Sequence, residues 1–364
     1  MPDSKNKKMS TSRPPKDAAF SGVQLSLFQS FLCNTEEERS KLSNTIEFWD
    51  GVPKYFVSRK EMHGLRNQDG FLPKVERSFQ HGGRSFTVKI RPARVTGEEG
   101  KDREFYPSAR EELVEDALRK IAADQNYGFY EDLPENRRSG VVFSLYMLRQ
   151  ELSKRGHTLS YQQVMEALYV LSDAGIEILT ADGNSVFKSA ILPTLAGVSQ
   201  IDLKNDPKAR WYADFCPLVT ESIRAMTYRQ YDYHAMMQHS SQLARWLHKR
   251  LANNYTNAGY MTPYEFLFSS VKRDSGLLEY RRDRDSVRKL DEALAELEEQ
   301  DVLLSIKKQE NRGARSRILD VKYSLMPHPD FVKQVKAANK RLSDGRSKLA
   351  ALTPPASREG RAGR

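Results

Sequence analysis

The sequence predicts an α+β chain built as two tandem winged helix-turn-helix domains, preceded by a small β-containing segment and a disordered N-terminal tail. Three observations carry this reading. Between Pro107 and Leu192, three helical patterns run directly into a β-hairpin pattern. The same order then recurs. "EALYVLSDAGIEIL" from Glu166 and "EALAELEEQDVLLSI" from Glu292 lie 126 residues apart, and each joins a helix end to a β run. That offset aligns Ser160 with Ser286, Gln162 with Arg288 and Gln163 with Lys289. The bland alternative is that E-A-L-x-x-L is ordinary helix composition; the shared helix-to-strand context favours duplication. The expected domains are a tail over 1–48, a β-containing segment and linker over 49–103, winged helices over 104–204 and 205–335, and a basic disordered tail over 336–364.

Residues 1 to about 20 are rich in Lys, Ser, Pro and Asp and are expected to be disordered. "SGVQLSLFQSFL" follows, with apolar members that have no evident core to join. From Lys54, "KYFVSR" has a strand pattern, and in "RSFQHGGRSFTVKIRPARV" Gly82 and Gly83 separate two alternating runs as a hairpin turn does. This segment ends near Val95, and Thr96 to Asp102 has the glycines and acids of a linker.

The period becomes helical at Pro107. Ser108 and Glu111 form a capping box, with Leu113, Ala117, Leu118 and Ile121 on one face. A second helix is predicted over about Val142 to Lys154, stopping at Gly156. The third is the best marked: Ser160 caps, Gln163 completes the box, Leu159 and Val164 suit a hydrophobic staple, and Gly175 ends it. A hairpin around Asp182 and Gly183 closes the first unit. In the second, a helix spans about Gln242 to Asn254 and a shorter one opens at Thr262, with Pro263 at its first position and Glu265 completing the box. Another begins near Ser286, and two strands flank a basic tip at Gly313. From Lys340 the chain is basic through Arg341, Arg346, Lys348, Arg358, Arg361 and Arg364, and is expected to be unfolded.

The 364 residues include 39% apolar and 29% charged side chains, with no apolar run near the ~20 residues of a membrane span and no signal-peptide core. A cytoplasmic protein with no membrane association is expected. Cys33 and Cys216 are too few and too far apart for a disulfide framework or a Cys-x-x-Cys site. A net charge of +10 points to a polyanionic partner, nucleic acid first.

In the third helix Val164, Leu168 and Leu171 face the core, so Tyr161, Gln162, Met165, Glu166 and Tyr169 point elsewhere. Tyr161, Gln162, Gln163 and Glu166 are the candidate DNA contacts, a Gln being suited to bidentate pairing with adenine. The capping box explains Gln163 without DNA. In the second unit, Val287, Leu290, Leu294 and Leu297 make the buried stripe. Arg281, Arg282, Arg284, Arg288 and Lys289 are placed to reach phosphates or guanine, and Lys307, Lys308, Arg312, Arg315 and Arg317 line the wing. Asp283, Asp285 and Asp291, interleaved with these cations, also suit a self-paired solvated surface.

Signals for catalysis are missing. The sequence has no nucleotide-binding G-x-x-x-x-G-K-[ST] loop, no H-E-x-x-H and no G-x-S-x-G. His234 and His239 are five apart, off the spacing that stacks ligands on one helix face. Tyr228, Tyr231 and Tyr233 invite a tyrosine nucleophile, but packing roles explain them without one. A binder that is not an enzyme and needs no cofactor or metal is expected.

"FYPSAREELVEDALRKIA" and "GVVFSLYMLRQELSKRGHTLSYQQVMEALYVLS" with "GIEIL", together with "KYFVSR" and "VKIRPARV", resemble the TrfA-type replication initiators of broad-host-range plasmids, over roughly residues 50 to 330. The resemblance implies tandem winged helices binding directly repeated double-stranded origin sequences (iterons), opening of an AT-rich segment with single-stranded DNA as a possible partner, and a monomer–dimer balance with active monomers. It also implies recruitment of the host initiator DnaA and the replicative helicase. Gln24, Leu25, Ser26, Leu27 and Phe28 match at all five positions the pattern by which bacterial proteins dock on the β sliding clamp; the bland reading is an alternating β run or a short helix face formed by Leu25, Phe28 and Leu32. The alternative functions are a transcriptional regulator with duplicated winged helices and a DNA-processing enzyme.

Overall fold

The computed structural model describes residues 36–97, 100–124, 128–133, 136–197, 209–314 and 318–352. Gln24 to Phe28, Arg315, Arg317, Arg358, Arg361 and Arg364 lie outside these. The chain divides into two compact units: Val52–Thr220 with Arg273–Leu277, and residues 36–51 with Glu221–Lys272 and residues 278–352. Among the described residues, no helix is long and apolar enough to cross a membrane.

The chain enters through α1 (Glu36–Lys41), β1 (Leu42–Ile46) and α2 (Glu47–Gly51), which belong to the second unit. Residues 36–48 are therefore built into elements, against the expectation of a tail. The next stretch corrects another expectation. "KYFVSR" forms no strand; Lys54, Tyr55 and Val57 are buried, and the Tyr55 hydroxyl donates to Glu115 at 2.5 Å. Ser58 then caps α3 (Arg59–Leu65) through a box with Glu61, a local signal that outweighed the strand-like alternation.

The hairpin β2 (Val75–His81) and β3 (Arg84–Arg91) turns at Gly82 and Gly83, both at positive φ, as the sequence predicts. Thr96 and Asp102, the ends of an expected linker, instead pair with each other: β4 (Ala93–Thr96) pairs with β5 (Asp102–Phe105), and the Gly97 N–H donates to the Lys101 carbonyl. Helix α4 (Ala109–Ala123) starts where Glu111 accepts from the Ser108 N–H and hydroxyl.

Val142 and Phe143 belong to a strand and not to the second helix, because β6 (Gly128–Leu133) and β7 (Asn136–Ser144) form a hairpin that the periodicity did not reveal. Ser144 then caps α5 (Leu145–Lys154), and Gly156 follows at φ 86°. Ser160 and Gln163 cap α6 (Tyr161–Asp173) as predicted, and Gly175 opens β8 (Gly175–Thr180) ahead of β9 (Ser185–Ala190). The wing β8–β9 joins the N-terminal hairpin in one antiparallel sheet of order β2-β3-β8-β9. Phe79, Val88, Ile90, Ile176 and Ile178 fill its buried face. On the other face Glu76, Lys89, Glu177 and Lys188 stand directly opposite one another in a row of alternating charge. The strands β10 (Thr194–Gly197) and β11 (Arg210–Asp214) extend the other sheet to β10-β11-β7-β6.

After α7 (Pro217–Arg224) comes β12 (Tyr228–Asp232), which pairs with β1, then α8 (Tyr233–Gln238) and the Ser241-capped α9 (Gln242–Asn254). The helix expected at Thr262 begins later. Tyr264–Leu267 is strand β13, taken up by the wing sheet, and α10 (Phe268–Ser275) starts where the Ser269 N–H and hydroxyl donate to Asp320. Helix α11 (Asp283–Glu299) starts three residues before Ser286, so Ser286 is not the cap that Ser160 is; it is buried and donates to the Leu278 carbonyl. The wing strands β14 (Leu303–Arg312) and β15 (Ile318–Pro327) pair with β13 in the order β13-β15-β14. Residues 336–352, expected to be unfolded, continue α12 (Pro329–Leu352), whose Phe331, Val332, Val335 and Ala338 are buried. The basic composition masked this apolar i, i+4, i+7 stripe. A helix pair running into a β-hairpin thus occurs twice, as α5, α6 and β8–β9 and as α10, α11 and β14–β15, the winged helix-turn-helix arrangement.

Candidate nucleic-acid interface

In α6 the buried stripe of Val164, Leu168 and Leu171 turns Gln162, Gln163, Tyr169 and Asp173 to solvent, with Tyr161, Met165 and Glu166 half-buried. The sequence candidates separate by what holds them. Gln163 is engaged at both ends: its side chain accepts from the Ser160 N–H at 2.8 Å, while its N–H donates to the Ser160 hydroxyl. The Tyr161 ring lies 4.0 Å from the Arg149 guanidinium, which donates to the Leu159 carbonyl. Glu166 accepts from Arg110 at 2.6 Å and pairs with Arg59 at 3.1 Å. Burial pushes its carboxyl up, and the two arginines more than offset this, so it titrates below the ordinary glutamate range. Gln162 is exposed and engages no side chain among the described residues. Tyr169, seven residues on and 42% exposed, continues its stripe. It was not among the sequence candidates, though its spacing from Gln162 marks it.

Around α11, two of the three interleaved acids are occupied away from the first three arginines. Asp283 accepts from Lys272 at 2.8 Å, and Asp291 accepts from Lys308 at 2.8 Å and from the Tyr323 hydroxyl at 2.7 Å. Arg281, Arg282 and Arg284 are exposed and form no ion pair among the described residues. Arg288 and Lys289 are different, since both pair with Glu292, at 3.7 and 2.6 Å. On the wing, Lys307 is exposed, whereas Lys308 and Arg312 share Glu310 at 3.5 and 2.5 Å. Arg315 and Arg317 fall outside the described residues, as does the whole Gln24 to Phe28 motif. The tip of the first wing carries no such charge: Asp182 tightens its turn by accepting from Asn184 at 2.6 Å, and Thr180 to Asn184 contain no cation.

Tyr228, Tyr231 and Tyr233 are buried, and burial raises the Tyr228 phenol, so these side chains serve packing. Cys216 is buried and its thiol is pushed up to about 12, which leaves it inert. Among the described residues no three His, Cys, Asp or Glu side chains are grouped to hold a metal.

No family model matches the chain, and no curated protein does. Solved structures similar to it include domains 2 and 3 of RctB, at 10% identity over 77% of this chain and 97% of that one, with a TM-score of 0.47. A second structure of RctB domains 2–3 matches at 10% identity over 75% and 97%, with a TM-score of 0.43. The Pi initiator protein in complex with iteron DNA matches at 14% identity over 66% and 98%, with a TM-score of 0.42.

Proposed function

We propose that this chain is a replication initiator of the TrfA type, which binds directly repeated origin DNA through α6 and α11. The observation that carries the reading is the pair of unlike reading heads. One helix offers an amide and a phenol, Gln162 and Tyr169; the other offers three exposed guanidinium groups that form no ion pair among the described residues, Arg281, Arg282 and Arg284. An amide suits adenine, and Arg suits guanine or phosphate. A chain whose two heads differ reads an asymmetric site without needing a two-fold axis, so direct repeats are its natural target and palindromes are not. Lys307 and the basic wing add backbone attraction. The resemblance extends the reading to opening of an adjacent AT-rich segment, helped by flexible TA steps, to a monomer–dimer balance, and to recruitment of DnaA and helicase. The Gln24 to Phe28 motif supplies a clamp-docking element.

The test is a footprint on the DNA flanking the gene. Protection of several direct repeats beside an AT-rich stretch is expected; protection of a lone palindrome would make the chain a transcriptional regulator. Nicks or covalent adducts in supercoiled origin DNA would mark an enzyme.

A further inference from the structure

Strand β5 gathers guanidinium groups beside α6 that the two reading heads do not use. Cross-strand partners Ala93 and Phe105, and Val95 and Arg103, share one face of the β4–β5 hairpin. That face packs on α6: Ala93, Val170 and Ala174 form a buried cluster against which Val95 and Phe105 lie. The Phe105 ring has Arg59 at 4.6 Å and Arg66 at 5.3 Å. Arg66 is fixed by donating to the carbonyls of Gly70 and Glu104 at 3.0 and 2.6 Å. Arg103, next along the strand, is exposed and has no ion pair among the described residues.

Four carboxylates around this hairpin already have partners. Glu111 and Glu166 are shared between Arg59 and Arg110, Glu104 serves Arg94 at 3.0 Å, and Asp102 turns to the opposite face, where it accepts from the Thr96 hydroxyl. Arg66 and Arg103 form no ion pair among the described residues. Burial first, then repulsion from Arg59 and Arg103, lowers the Arg66 pKa, with Glu104 opposing. The row also runs along the exposed stripe of α6. Arg59 is bound to Glu166, and the Arg94 N–H donates to Asp173 at 2.7 Å. Seven helical residues separate these anchors, about 10 Å, or the axial rise of about three phosphates of one DNA strand.

We propose that Arg59, Arg66 and Arg103, arrayed around Phe105, form a cradle for the DNA backbone flanking the groove that α6 enters. This rests on the DNA-binding reading and deepens it: the first unit, whose wing tip lacks cations, takes its phosphate grip from the β4–β5 hairpin. Arg103 is the residue to change, because Arg66 also holds the Gly70 turn.

The experiment follows binding of a 30-base-pair random-sequence duplex by fluorescence anisotropy from 50 to 200 mM salt, for the full chain and for Arg103→Ala and Arg103→Lys. Arg103→Ala should lower the slope of log affinity against log salt by about 0.9, Arg103→Lys should keep the wild-type slope, and thermal midpoints should be equal. A wild-type slope in Arg103→Ala overturns the cradle and leaves the initiator reading standing. Failure of the wild-type chain to bind any duplex overturns both.

Discussion

His239 Nε2 and His248 Nδ1 face each other across 3.0 Å in the interior of the second unit. His248 sits between the rings of Tyr231 and Phe331, and the Arg245 guanidinium donates to the His239 carbonyl. Burial, with Glu296 opposing and Arg245 assisting, lowers the His239 pKa to about 4; burial, His239 and Lys249 lower that of His248. In the unfolded chain both return to about 6.5. Between these values the unfolded state binds more protons, so stability is full above pH 6.5 and falls as pH drops toward 4.

His239 alone should therefore cost the fold about 2 kcal/mol between pH 7.5 and 5. Urea unfolding at the two pH values measures this. Replacing both histidines by Phe should flatten the dependence; an unchanged difference in the double variant would mean that other groups cause it.

Gln162 and Gln163 are neighbours in sequence with separate fates. Gln163→Ala removes the acceptor for the Ser160 N–H and should cost ~0.5–2 kcal/mol of stability with little effect on DNA specificity. Gln162→Ala should leave the unfolding midpoint alone and cost about 1–3 kcal/mol of binding at the base it reads. Paired denaturation and competition binding measure both, and equal behaviour of the two variants would refute the assignment.

The arginines of α11 divide in the same way. Replacing Arg281, Arg282 and Arg284 by Ala should weaken duplex binding and make the salt dependence shallower by about 0.9 for each phosphate no longer neutralised. Replacing Arg288 and Lys289 should act less, since Glu292 already compensates them. Anisotropy titrations over a salt series rank the two variants, and the reverse order would move the DNA-binding surface to the helix middle.

What the sequence made legible is what short-range chemistry fixes. The Ser108–Glu111 and Ser160–Gln163 boxes span one turn and name their helices outright, and the Gly82–Gly83 turn names its hairpin. The sheet β10-β11-β7-β6 was not legible because Arg210 finds Ser144 and Asp214 finds Gly140 across long stretches of chain, so no local pattern announces the partner. Tyr264 to Leu267 was misread for a related reason: the capping-box spelling at Thr262 is real, but pairing with β15 outweighs it. At the site, helical period told which α6 residues face outward. It did not tell that Arg59 and Arg110 occupy Glu166, or that Lys272 and Lys308 occupy Asp283 and Asp291.

Leu25, Leu27 and Phe28 offer about 1.5–3 kcal/mol each if buried in an apolar cleft, and the ordering that coupled binding requires returns about 2–5 of that. The isolated motif should therefore bind the β sliding clamp no tighter than about micromolar. A chain held on origin DNA beside a loaded clamp gains effective concentration, which makes such weak docking sufficient. Replacing Leu27 and Phe28 by Ala should abolish clamp binding in a pull-down and leave duplex affinity and salt slope unchanged. Loss of the thermal transition in that variant would instead assign these side chains to a core.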